Sequence, residues 1–168
     1  YKKTKKSISN IFLDLEKKKN IFHIIKFNFK ESDDLINIED LKFDRDNFLS
    51  FKKIDIKTKN KDFIIQNGKK ILIKGSKFDA TNLPKYLSDQ SGVNKFENFN
   101  SNIEIDFKNI KVTLSEKLQN FKLLGEIRKG QFTKITSKGD FGEGNFLDIS
   151  MKKEENSNKK YLEIYSDL

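Results

Sequence analysis

The sequence predicts a mainly β protein, an elongated, curved antiparallel sheet of hairpins that forms an open groove, with one short helix near 82–89. Three observations predict it. Apolar and polar residues alternate with a period of two along most of the chain, as on half-buried strands. Sustained helical periodicity is almost absent. The hydrophobic and charged fractions are both 35%, a balance that suits elements burying one face each and is too polar for a thick core.

The elements follow in order. Residues 15–20, "LEKKKN", read as an exposed hairpin loop. Segment 21–29, "IFHIIKFNF", carries Ile25, Phe27 and Phe29 on one parity. His23 shares that parity and reads as a packed strand residue. "INI" aligns Ile36 with Ile38, and "IDI" aligns Ile54 with Ile56. In "KDFIIQNGKKILI" a three-residue loop, Gln66-Asn67-Gly68, sets Phe63 opposite Ile71 and places Gly68 in the left-handed position of a bulged turn. A two-residue Asn-Gly turn there would throw the apolar sets onto opposite faces, because a one-residue slip exchanges every side chain. "TNLPKYLSD" is the one helical stretch: Thr81 or Asn82 caps it, Pro84 suits its first turn, and Leu83, Tyr86 and Leu87 share a side.

The second half repeats the alternation. "IEIDF" puts Ile103, Ile105 and Phe107 on one face and Glu104 and Asp106 on the other. Further on, "SKGDFGEGNFLDISM" contains Asp140-Phe141-Gly142, the triplet that holds magnesium in protein kinases. No glycine-rich phosphate loop, lysine strand or catalytic loop accompanies it. A hairpin explains it better. With Gly142-Glu143-Gly144 as the loop and Gly144 left-handed, Gly139 opposes Leu147, Ser137 opposes Ile149 and Ile135 opposes Met151. Residues 152–160, "KKEENSNKK", read as a second exposed loop, and "YLEIY" closes the series with Leu162 and Ile164 on one face.

Composition excludes most chemistry. The chain has no Cys and one His, so neither a thiolate nor a multi-histidine metal site can be built, and no metal or cofactor is expected. It lacks a nucleophile elbow, a His-Glu-x-x-His helix and a phosphate-binding loop; the reading is not an enzyme. A net charge of +9 invites nucleic acid. Yet only Arg45 and Arg128 supply guanidinium groups, and the Lys, Asn, Ile and Phe richness fits AT-rich coding, so no nucleic acid partner is expected. The chain starts at Tyr1 without a signal core or membrane-spanning run and reads as a single excerpt, 1–168, of a longer repetitive protein, with possible sub-repeats 1–90 and 91–168. A loose internal echo between 49–73 and 118–149 suits a stacked array. The apolar face of such strands demands cover, since each buried Ile, Leu or Phe contributes roughly 1.5–3 kcal/mol. A second sheet gives a closed β-sandwich, a binding or structural module; an apolar ligand gives an open trough.

Residues 73–87, "IKGSKFDATNLPKYL", resemble a recurring segment of bacterial AsmA-like proteins of the YhdP and TamB type, through Gly75, Phe78, Asp79, Ala80, Leu83 and Leu87. The stretch 102–167 resembles the AsmA-like C-terminal region of alphaproteobacterial members, with alternating strands through Leu123, Gly125 and Ile127, a Gly-rich hairpin and a closing Ser166-Asp167. The resemblance implies a periplasmic β-groove protein anchored in the inner membrane by segments outside this excerpt, moving phospholipid towards the outer membrane in the biogenesis of the cell envelope. Phospholipid is the implied partner, with envelope proteins at either end. The candidate groove residues are then Ile36, Ile38, Ile54, Ile56, Phe63, Ile71, Ile73, Ile103, Ile105, Phe107, Phe121, Leu123, Ile127, Leu147, Ile149, Met151, Leu162 and Ile164.

Overall fold

The structure is a computed structural model that describes residues 8–45, 47–82, 98–112, 117–153 and 159–167. Its strands are β1 (Ser9–Lys18), β2 (Ile21–Glu31), β3 (Asp34–Phe43), β4 (Phe48–Ser50), β5 (Lys53–Lys57), β6 (Asp62–Asn67), β7 (Ile71–Asp79), β8 (Ser101–Lys111), β9 (Lys117–Arg128), β10 (Gln131–Gly142), β11 (Asn145–Lys153) and β12 (Lys160–Ser166). They form one 12-stranded sheet in sequence order, with the short β4 pairing β3 off the main path. The sheet is curved, open and not closed into a barrel. No helix occurs among the described residues, and the helix expected near 82–89 lies outside them apart from Asn82, which sits in a turn.

Every junction is antiparallel except β7–β8, which is parallel. The expected all-antiparallel sheet is therefore mixed. The β1–β7 and β8–β12 halves each run as antiparallel strands and meet at that junction, where no hairpin can join the partners. Among the described residues strands contact only their ladder neighbours, so the sheet does not fold back on itself as a sandwich would. Accessible surface agrees: it totals 13038 Å², against about 8,600 Å² from the size scaling of compact monomers.

The turns show how closely residue chemistry sets the register. Arg128 pairs with Gln131 across Lys129 (φ 50°) and Gly130 (φ 70°), and Gly142 pairs with Asn145 across Glu143 (φ 56°) and Gly144 (φ 86°). Two successive positive φ angles make both of these type I′ turns, whose twist matches that of the strands they join. The Asp140 triplet is thus hairpin: Gly139 opposes Leu147 and Ser137 opposes Ile149, as expected, and Gly144 is left-handed. The loop itself is two residues, not three, and the extra residue is taken up as a bulge between Asp140 and Gly142.

Two expected boundaries are corrected. Leu15–Lys18 belongs to β1, and the turn is Lys19-Asn20, opened by Lys19 at φ 55°. In 152–160, Lys152, Lys153 and Lys160 are strand, while 154–158 lie outside the described residues. The β6–β7 hairpin is also shifted. Asn67 pairs with Ile71, Ile65 with Ile73 and Phe63 with Gly75, so the loop is Gly68-Lys69-Lys70 and Phe63 does not face Ile71. Gly68 does not adopt positive φ. The reason lies at Gly75. A Cβ there would sit 2.6 Å from Phe63 Cβ and from Phe107 Cε1, so this register is the one that lays the aromatic rings over a residue without a side chain.

Candidate functional site

The paired residues of neighbouring strands point to the same side of a sheet, so the ladder traces one face across the molecule. It runs through Leu13↔Phe27↔Ile38↔Ile54↔Ile65↔Ile73↔Ile105↔Leu123↔Ser137↔Ile149↔Ile164. All the groove candidates lie on this face. The opposite face is charged and partly ordered by sign: Asp14, Lys26, Glu39 and Lys53 are consecutive partners across four strands, a cross-strand pattern that stabilises each pair.

The face is not uniformly open. Phe63, Ile71, Ile103 and Phe107 are buried, with Phe107 only 5% exposed. Phe63, Phe78 and Phe107 form a ring cluster with centroids 5.3–5.8 Å apart. Ile110 and Leu118 complete this packed centre. These four candidates therefore form the base of the trough, packed by the chain's own side chains, and do not line its surface. Ile36, Ile38, Ile54, Ile56, Ile73, Ile105, Phe121, Leu123, Ile127, Leu147, Ile149 and Met151 are half-buried. Towards the two edges the face opens fully: Ile11 is 68% exposed on β1, and Ile164 is 62% exposed on β12 beside Leu162.

Period-two counting missed several members of the face because bulges reverse the alternation. On β8 the face passes from Phe107 to Ile110, three residues on, and on β9 from Leu118 to Phe121. On β3 it passes from Ile38 to Leu41, and on β2 from Phe27 to Ile24. Ile24, not Ile25, thus takes the apolar position opposite Leu15 and Leu41. The same slip carries His23 to the charged face, opposite Glu16 and Lys42, where its Nε2 lies 3.1 Å from Asp40 Oδ1; it is not packed with Phe27. A signal was present. Ile38-Glu-Asp40-Leu41, Phe107-Lys-Asn109-Ile110 and Leu118-Gln-Asn120-Phe121 share the order apolar, polar, Asx, apolar, and Asp40 (φ 51°) and Asn120 (φ 50°) adopt the left-handed conformation that Asx residues tolerate.

Electrostatics are confined to the charged face and the rims. Hydrogen bonding from Lys70 holds the Glu104 carboxyl below its usual range. Lys152 does the same to Glu163, and Thr81 to Asp79 through side chain and backbone. On the apolar face one polar group stands out. Ser137 is 2% exposed, and its Oγ has no hydrogen-bond partner.

Among the described residues no group of three or more His, Cys, Asp or Glu is placed to hold a metal ion, and no helix is long and apolar enough to cross a membrane. At the end of the sheet where β7 and β8 begin, a concavity of about 410 Å³ is lined by Asn67, Lys69, Asn100, Asn102 and Arg128 among others. No family model, no curated protein and no solved structure matches this chain.

Proposed function

We propose that this chain is a segment of an AsmA-like β-groove protein whose apolar face carries the acyl chains of phospholipids. The observation that carries the reading is the predominantly apolar face, interrupted on β10 by the buried Ser137. It crosses every junction from β1 to β12, is covered by no second sheet among the described residues, and ends in exposed Ile11, Leu13, Leu162 and Ile164. Exposed apolar surface of this extent marks an interaction site. An acyl chain gains from the same burial as a core residue, about 0.8 kcal/mol per CH₂. Because the face is a repeated strand-by-strand surface, a chain lying on it can pass from one strand's position to the next. On the AsmA-like reading this takes place in the periplasm, within a protein held at the inner membrane and serving the outer one.

The test is lipid content. The purified chain is expected to carry phospholipid detectable by native mass spectrometry. Ile164→Asp, at an exposed position, is expected to leave the circular dichroism spectrum unchanged and to lower bound lipid several-fold. A lipid-free wild-type chain that also takes up none from vesicles sinks the reading.

A further inference from the structure

We infer that the concavity at the start of β7 and β8 binds the phosphate of an anionic phospholipid headgroup; this rests on the reading of the apolar face as an acyl-chain track. The parallel junction creates the space. Antiparallel neighbours are closed at one end by a turn, but β7 and β8 enter the ladder from separate directions, β7 from the Gly68-Lys69-Lys70 loop and β8 from residues 98–100. The gap left between them is the concavity of about 410 Å³. It opens just outside the Ile71–Ile103 pair, where the apolar face ends in Asn67 and Ser101.

Its lining supplies what a phosphodiester needs. Lys69 from the β6–β7 loop and Arg128 from the end of β9, on the charged side with Glu126, bring two cations to the rim, and the amide groups of Asn67, Asn100 and Asn102 bring further donors. Part of this lining is already positioned. Asn100 Oδ1 accepts from the Lys129 backbone N–H at 2.9 Å, and Asn67 Nδ2 donates to the Phe51 carbonyl at 3.0 Å. Glu126 holds the Arg128 guanidinium at 2.6 Å, leaving the rest of its fork of donors for a bidentate acceptor. Glu104, on the charged face of β8, is engaged by Lys70. Basic residues also crowd the β1–β2 turn (Lys18, Lys19) and the β5–β6 loop (Lys59, Lys61), whereas two other hairpin ends are acidic. The β2–β3 turn at the opposite rim carries Glu31, Asp33 and Asp34, and the β10–β11 turn carries Asp140 and Glu143. A lipid held here has its phosphate at the rim, towards Lys69 and Arg128, and its acyl chains over the half-buried Ile73 and Ile105, beyond the buried Ile71–Ile103 pair.

The test uses the full chain loaded from mixed vesicles of phosphatidylglycerol and phosphatidylcholine, re-isolated, and its lipids quantified by mass spectrometry. Wild type is expected to enrich phosphatidylglycerol several-fold over the vesicle ratio. The double variant Lys69→Gln with Arg128→Gln is expected to lose that enrichment with total acyl load kept, and Arg128→Lys to keep only part of it, because an ammonium cannot replace the bidentate fork. Unchanged enrichment in the double variant overturns the headgroup site while leaving the acyl track intact; failure of wild type to load any lipid removes the track itself. A parallel titration with glycerol 1-phosphate, a soluble phosphomonoester, separates a lipid headgroup from a free phosphate as the source of the ligand. Saturable binding of that soluble ester without lipid assigns the concavity to a free phosphate and overturns the lipid assignment.

Discussion

At Ser137 a hydroxyl lies between Leu123 and Ile149, its partners on β9 and β11, in the most enclosed part of the apolar face. A buried hydroxyl without a partner costs about 1–3 kcal/mol. The position needs a small residue, since it faces large ones on both sides, but it has no use for the oxygen. Ser137→Ala is therefore expected to raise unfolding stability by about 1 kcal/mol, seen as a higher urea midpoint at unchanged slope. A fall in the midpoint instead would mean the oxygen is satisfied by ordered water. The glycines of this face follow the same steric logic from the other direction. A Cβ at Gly125 would lie 2.9 Å from Ile103 Cγ2 and Phe132 Cε1, and one at Gly139 2.6 Å from Leu118 Cδ1. Large residues from adjoining strands fill the space over these positions, which is how a single layer reaches core-like burial at Leu118.

At the scale of the strand, β12 shows how an exposed edge is held. It is exposed along its whole length and pairs only with β11. Across that junction Lys152 Nζ meets Glu163 Oε2 at 2.5 Å. The hydrogen bond from Lys152 lowers the Glu163 pKa, and the same bond raises that of Lys152. The depressed carboxylate contributes stability that is present above its unfolded value, about pH 4.3, and is lost as pH falls through the folded value. The raised ammonium contributes below its unfolded value, about pH 10.4, and is lost as pH rises through its folded value. Docking of β12 is thus expected to be best between these limits. Hydrogen exchange of β12 amides, corrected for intrinsic rates, should quicken modestly at pH 3 relative to pH 6, and Glu163→Gln should remove that difference. Strands such as this were legible in the sequence, because "YLEIY" alternates without interruption and Leu162 and Ile164 meet Met151 and Ile149 as the pattern requires. The Gly139–Leu147 register was legible for the same reason, being bounded by a Gly-rich turn. What parity could not show were Phe78, Ile110, Leu118 and Ile24, each beyond a bulge, and the β6–β7 register. That register is decided by the Phe107 ring, whose position depends on the parallel β7–β8 pairing between distant segments and so leaves no trace in the local pattern.

For the whole molecule the governing fact is that, among the described residues, each strand touches only its neighbours in the ladder. Stability in such an array is a sum of nearest-neighbour terms, as in repeat proteins, and opening can begin at an end without disturbing the middle. The apolar burial is graded to match. Phe63, Ile71, Ile103, Phe107, Ile110 and Leu118 on β6–β9 are buried, whereas β1 is exposed along its entire length, as is β12. Curvature reinforces the gradient. The slips at Gly75 to Phe78, Phe107 to Ile110 and Leu118 to Phe121 lie on adjacent strands, so they bend the sheet along one line and draw the side chains of its centre together. Native-state hydrogen exchange is therefore expected to be slowest in β7, β8 and β9 and to quicken outward to β1 and β12, by on the order of a hundredfold or more. Equal protection across the sheet would show instead that the molecule opens as one unit, which a single layer with nearest-neighbour contacts does not do. Added phospholipid sharpens the same measurement. A ligand lying across several strands couples their opening, so loading should slow exchange most at the poorly protected outer strands, where Ile11, Leu13, Leu162 and Ile164 have the most surface left to bury.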